Sequence, residues 1–385
     1  MKFMFRSTKV LFATVVGVLL HPGIASAQHY NQTNLVSDVV GEAAVHDPNL
    51  VNPWGIPRSA TSPWWVADNN AGVSTLYTGT GSIIPINGNG TVIIPAPKNA
   101  PAGTLAAPTG IVFNGSTSFV LPAPNSKPAA FIFATEDGTI SGWNGGPAAF
   151  LAVDNNDNGS AAGAVYKGAT TADLDGKRFL FVSNFRAGIV EVYDTNFKRV
   201  QLPSDAFTAN GDHDGDDDDG ADRVPKGFAP FNIQNIGGSL FITYAKQDAS
   251  RHDNLAGDGL GYVEIFTPAG KHIGHLEHGA WLNAPWGVVW TPRDFGVFSN
   301  MILVGNFGSG WVAAFNGFTH KFEGFLKNND NSLLTIDGIW SLTFGNGAAA
   351  GPATTLFFSA GPAGESHGLF GTLTPVAAEQ DGSVE

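Results

Sequence analysis

The chain has 385 residues, of which 43% are hydrophobic, with 49 glycines and no cysteine. Its formal net charge of −13, from 20 Lys and Arg against 33 Asp and Glu, leaves no basic footprint for a nucleic acid. Without cysteine there is no disulfide scaffold, so stability has to come from burial.

The first 27 residues read as a secretory signal peptide. Lys2, Arg6 and Lys9 precede an apolar run from Val10 to Leu20, too short to span a bilayer. Ala25-Ser26-Ala27 is a small-x-small cleavage pattern, so cleavage is expected after Ala27 and the mature protein in the periplasm or outside the cell. The alternative for this segment is a membrane anchor. No later segment is apolar enough to cross a membrane. Residues 28–375 are expected to form one body, and the small, polar, acidic residues 376–385 a loose tail.

A unit then recurs six times. Its openings are Trp54-Gly55-Ile56, Thr109-Gly110-Ile111, Lys167-Gly168-Ala169, Phe231-Asn232-Ile233, Trp286-Gly287-Val288 and Trp340-Ser341-Leu342, at steps of 54 to 64 residues. A second apolar run follows in each: Val66-Ala67-Asp68, Phe133-Ala134-Thr135, Val182-Ser183-Asn184, Ile242-Thr243-Tyr244, Val304-Gly305-Asn306 and Phe358-Ser359-Ala360. A third begins at Gly and ends on an aromatic residue or Leu, from Gly72…Tyr77 to Gly368…Leu373. These short runs are rich in β-branched and aromatic side chains and bounded by Gly, Pro or Asn, which is how strands read. A weaker fourth strand, such as Val92-Ile93-Ile94, completes the unit. Six four-stranded repeats describe an all-β, six-bladed β-propeller. The last unit lacks a fourth strand, and Asn34-Leu35-Val36-Ser37 has no unit of its own. The N-terminal strand is therefore expected to close the last blade and remove an open edge.

The order Pro-x-Gly-apolar, then Val-Ala-Asp, then a strand ending in an aromatic resembles NHL-type propeller repeats, and Pro53-Trp54-Gly55, Thr135-Glu136-Asp137-Gly138-Thr139-Ile140, Pro230-Phe231-Asn232-Ile233-Gln234 and Gly305-Asn306-Phe307-Gly308 carry a closer likeness. More closely, the chain resembles an uncharacterised bacterial family of secreted six-bladed propellers. The resemblance spans nearly the whole mature chain and implies a fold and an address but no activity.

Alternating strand direction puts the loops between units on one face with the loops between second and third strands. This top face carries His46-Asp47-Pro48-Asn49, residues 210–222, 247–259 and 362–367. Facing the axis there, the openings offer Trp54, Thr109, Lys167, Phe231, Trp286 and Trp340, and the second strands end in Asp68, Asn69, Thr135, Glu136, Asn184, Tyr244 and Asn306. Aromatic walls with a few placed polar groups suit a ligand site. The candidates are Trp54, Asp68, Asn69, Glu136, Lys167, Asn184, Tyr244, Trp286, Asn306 and Trp340; the competing reading is packing between blades and turn capping. Asn210, Asp212, Asp214 and Asp216 lie in a stretch of seven aspartates. Asn210, Asp212, Asp214 and Gly215 match the first half of a calcium loop, but the twelfth position, Ala221, lacks the bidentate Glu. Either a weak calcium site or a solvated acidic insertion fits. Asp154-Asn155-Asn156-Asp157-Asn158-Gly159 reads as a turn.

Resemblance to six-bladed lactonases of the gluconolactonase and regucalcin type would ask Asp68, Glu136, Asn184 and Asn306 to hold a divalent metal at the axis. His252-Asp253 and Glu365-Ser366-His367 read as surface groups. The leading expectation is a monomeric binding platform for a small molecule or protein, with no nucleic-acid partner. A divalent-metal hydrolase and a calcium-bridged matrix or adhesion component are the alternatives.

Overall fold

A computed structural model describes residues 29–86, 88, 90–160, 162–209 and 224–376. The leader, the acidic loop with Asn210, Asp212, Asp214 and Asp216, and the tail after 376 lie outside the described residues.

Six sheets, antiparallel except for one short outer strand, follow one another along the described chain, giving a six-bladed β-propeller. Blade 2 is typical, with strands Pro108–Phe113, Phe131–Thr135, Thr139–Trp143 and Phe150–Asp154 paired in sequence order. The innermost strand of blade 1 is only a partial ladder. Trp54 N–H donates to Ala67 O, Ala67 N–H to Gly55 O and Trp65 N–H to Pro57 O, at 2.9 to 3.1 Å. Pro53 and Pro57 bracket this segment and have no N–H to extend it.

The glycine at the middle of four openings, Gly55, Gly110, Gly168 and Gly287, has a packing cause. A Cβ on Gly110 would sit 2.5 Å from the backbone N of Ala169 in the next blade, and one on Gly287 would sit 2.6 Å from Trp340 O. Inner strands converge on the axis, and backbone meets backbone there.

The ring closes as the sequence predicts. Tyr30–Ser37 pairs antiparallel with Leu369–Pro375, from Tyr30 opposite Pro375 to Ser37 opposite Leu369. The short strand Val45–His46 adds in parallel outside it, a fifth strand the repeat does not announce. The core lies between blades. Val36, Phe357 and Phe370 of the closing blade pack with Trp64, Val66 and Tyr77 of blade 1. Blades 2 and 3 share Ile132, Ile140, Leu180 and Val182 in the same way. Each fully buried side chain of this size contributes about 1.5–3 kcal/mol.

Candidate functional site

The top of the axis is built in two layers. Its floor comes from the openings. Trp54 stacks on Trp340 with ring centres 3.5 Å apart, Phe307 stacks on the same indole at 4.0 Å, and Trp286 stands edge-on to Trp54 and Trp340. Phe231 and Phe185 complete the cluster. Trp54, Trp286 and Trp340 are at most 3% exposed, so they cover one another and plug the channel.

The polar layer above depends on a one-residue register. In five blades the N–H just after the second strand donates to the carbonyl two residues before the opening: Asn69 to Asn52 O, Glu136 to Ala107 O, Phe185 to Val165 O, Phe307 to Ala284 O and, with no side chain to turn, Gly361 to Gly338 O. These side chains turn to the axis. Phe185 and Phe307 join the plug, while Asn69 and Glu136 make a polar half. One position earlier the alternation of a strand sends side chains the other way. Asp68 accepts from Thr75 N–H at 2.9 Å, Asn184 donates to Glu191 Oε1 at 2.9 Å, and Asn306 accepts from Asn283 N–H at 2.8 Å. Asp68, Asn184 and Asn306 are thus turned away from Glu136, each engaged in its own blade. Tyr244 sits in the apolar cluster between blades 3 and 4.

Lys167 is the centre of the polar layer. It is 2% exposed, and its ammonium pairs with Glu136 and, at 3.3 Å, with Asp253. Its Nζ lies 5.2 Å from the centre of the Trp54 ring and 5.8 Å from that of Phe185. Burial pushes its pKa down, but the charges of Glu136 and Asp253 outweigh this and leave it above the ordinary lysine value. Asn69 Nδ2 donates to Glu136 Oε2 at 2.9 Å, and Asn52 Nδ2 donates to Glu365 Oε2 at 2.8 Å and to Asn69 Oδ1 at 3.3 Å. Asn52 Oδ1 accepts from Trp340 Nε1 at 2.9 Å, which ties this layer to the floor. Burial raises the Glu365 carboxyl. His252 Nδ1 lies 2.9 Å from Asp253 Oδ1. That bond, with the Lys167 charge next, holds Asp253 well below the carboxylate range; the same bond lifts His252 above its usual value, against burial and the Lys167 charge.

The structure therefore gathers Asn69, Glu136 and Lys167 from the sequence-derived set, over Trp54, Trp286 and Trp340. It adds Asn52, and with it His252, Asp253 and Glu365, which loop composition alone assigns to the surface. The available signal was positional: Lys167 is the one charged opening residue, and the loops at 247–259 and 362–367 share its face. Glu136, His252 and Asp253 offer ligand atoms within 4.8 Å of one another, a spacing that could admit a cation. The Lys167 ammonium already bridges two of them.

No family model matches the chain. Among curated relatives, it is 33% identical to protein R640 of Acanthamoeba polyphaga mimivirus over 55% of this chain and 37% of R640. It is 29% identical to R648 over 80% and 72%, and 30% identical to L690 over 78% and 75%, both from the same virus. The chain thus spans just over a third of the first of these relatives and about three quarters of the other two. All three are named as uncharacterised proteins. They are viral, so they lend no support to the bacterial origin implied by the resemblance of the repeats. Similar solved structures include a streptogramin B lyase (13% identity, 90% of this chain and 97% of that one, TM-score 0.46). A Bacteroides thetaiotaomicron protein of unknown function gives 10% identity, 90% and 76% coverage and a TM-score of 0.49. A Xanthomonas campestris gluconolactonase gives 13%, 69% and 85%, and 0.34. At these scores the likenesses carry no argument.

Proposed function

For a chain that belongs to the family of mimivirus protein L690, we propose a binding platform whose ligand docks on the top face against the Lys167 cluster. The observation that carries this reading is the buried ammonium of Lys167, held by carboxylates from two other blades on a floor of stacked tryptophans. A buried, paired charge at the mouth of a scaffold is a common mark of a functional site. Around it Asp253, Glu136 and Glu365 outnumber Lys167 and His252, so the mouth offers acceptors. A small ligand rich in hydrogen-bond donors, amines included, fits that chemistry. The closed indole faces exclude a ligand stacked directly on them; the exposed partners are Asp253 and His252. The test is a thermal-shift and calorimetry survey of amino sugars and polyamines on the mature protein. Ligands that raise the melting temperature should lose affinity in both Asp253→Asn and Glu365→Gln. Affinities unchanged in both variants would place the site elsewhere.

A divalent-metal hydrolase of the gluconolactonase kind is favoured by one observation, the convergence of Glu136, His252 and Asp253. Against it, a metal would have to displace the ammonium that already neutralises two of those carboxylates. Elemental analysis of depleted and reloaded protein, with a lactone hydrolysis screen, separates the two readings. One bound ion that supports turnover and is lost in Glu136→Gln would replace the binding reading. The calcium-bridged adhesion alternative rests on the acidic stretch and awaits a calcium titration of the folded protein. The leader supports an address in the periplasm or outside the cell, for which mature protein should begin at Gln28.

A further inference from the structure

Blades 3 and 4 carry a buried carboxylate at the same place in the repeat. Glu191 lies opposite Val182, and Glu264 opposite Ile242, each on a third strand. Glu191 is saturated: the Tyr166 and Tyr193 hydroxyls donate to Oε2, the Asn184 amide donates to Oε1, and Arg199 pairs at 3.2 Å. Glu264 meets imidazoles instead. His272 Nε2 lies 2.6 Å from Glu264 Oε2, and the ligand atoms of Glu264, His272 and His275 all lie within 4.8 Å of one another.

His272 and His275 stand three apart on one strand, a spacing that puts side chains on opposite faces of a regular strand. The ladder departs from regularity here. His275 is opposite Glu264, Gly274 opposite Ile265 and His272 opposite Phe266, so Ile273 is pushed out and is 50% exposed. That bulge turns both imidazoles toward the carboxylate, the kind of re-aiming bulges perform beside functional sites. The ring of His320, in the turn before the strand Phe322–Phe325, hydrogen-bonds the His275 backbone and braces the bulged strand. A second observation points the same way. The Tyr244 hydroxyl is buried without a hydrogen-bond partner among the described residues, two residues along from the strand partner of Glu264. After burial, the charge of Glu264 is what raises its pKa.

We propose that Glu264, His272 and His275 form a binding site for a divalent transition metal of the zinc class, at the rim of blade 4 and separate from the axial cluster. Two imidazoles and one carboxylate are a recurrent three-ligand set for zinc, and nitrogen donors favour it over calcium. With bonds of about 2.0–2.2 Å, tetrahedral ligand atoms stand about 3.4 Å apart. The spacings found here reach that value by small side-chain rotations. The remaining position falls to water, with Tyr244 as a nearby polar group. Bound metal would pin the outer strand His272–His275 to its neighbour.

The experiment uses the full mature chain carrying His252→Asn, which removes the imidazole of the axial cluster as a competing ligand. Calorimetry with zinc should give one ion per chain and a higher melting temperature, and cobalt should give visible bands of imidazole coordination. His272→Asn and His275→Asn should each weaken zinc by about 100-fold or more, erasing the melting shift at concentrations that saturate the parent. No binding by the parent, or unchanged affinity and cobalt spectra in both variants, overturns the proposal. If a variant fails to fold, zinc-edge absorption on the parent still decides: two imidazoles and an oxygen support the site, and a shell without imidazole sinks it.

Discussion

Lys167 shows how one side chain organises the axial cluster. Its ammonium is out of water, so removing it leaves Glu136 with an uncompensated charge in a site only partly reached by solvent. Lys167→Met should cost about 3–5 kcal/mol, the range for breaking a buried pair. Lys167→Met with Glu136→Gln should recover part of that loss in a denaturant double-mutant cycle. Asp253 is mostly exposed and contributes less, because water replaces its partner. Additive losses in the cycle would mean the pair is not coupled. His252 gives an independent readout. Its folded pKa is raised, first by its bond to Asp253, so the stabilisation it brings is full below the unfolded value near about 6.5 and lost as pH rises through the folded value. NMR titration should place His252 above that reference and bring it down in Asp253→Asn. Lys167, Glu136 and Asn69 were legible in the sequence because repeat spacing fixes where openings and strand ends lie. His252, Asp253 and Glu365 were not, because a loop's path is set by its own turns and not by the repeat.

At the scale of elements, the strands were legible and their facing only partly so. Asp68 and Asn69 are neighbours, yet one accepts a bond inside its blade and the other reaches Glu136. Where a strand runs out into a turn, counting cannot say which of two residues keeps the inward face. The His272–His275 pair is the sharper case: only a bulge brings both rings to Glu264, and the lone Gly274 hints at a bulge without fixing which residue it pushes out. The closing strand was legible, since a blade short of one strand and a strand short of a blade demand each other. Tyr30–Ser37 contributes the buried Tyr30 and Val36, and the Tyr30 hydroxyl donates to Phe295 O at 3.0 Å. Deleting residues 28–40 should bare the edge of Leu369–Pro375 and give aggregation or a broadened, lower melt. Tyr30→Ala alone should cost about 3–5 kcal/mol, as for other large core aromatics. A deletion variant with unchanged melting and solubility would show that the ring does not need this strand.

The whole molecule is a ring without disulfides whose blades meet at one aromatic plug, and Trp340 is where plug and polar layer join. Its indole touches Trp54, Phe307, Phe231 and Trp286, and its Nε1 holds Asn52, which in turn holds Glu365 and Asn69. Two effects can be separated by substitution. Trp340→Ala removes the ring and the donor, leaves a cavity among three blades, and should cost about 3–5 kcal/mol. Trp340→Phe keeps a ring in the stack but leaves Asn52 Oδ1 without its donor, a loss of about 1–3 kcal/mol for a buried acceptor. Both variants should loosen Asn52 and Glu365 to a similar degree, although they differ in stability. The reporters are the Glu365 carboxyl, followed by carbon-detected NMR titration, and the global melt. Burial raises the Glu365 pKa in the parent and the Asn52 bond lowers it, so Trp340→Phe, which frees Asn52, should raise it further, while water entering Trp340→Ala should bring it toward the ordinary carboxylate range. If Trp340→Phe leaves it unchanged while Trp340→Ala lowers it, the floor acts through packing alone and the Nε1 bond positions nothing. If neither moves it, the two layers are independent, and a ligand on the top face would be read by the loops without the plug.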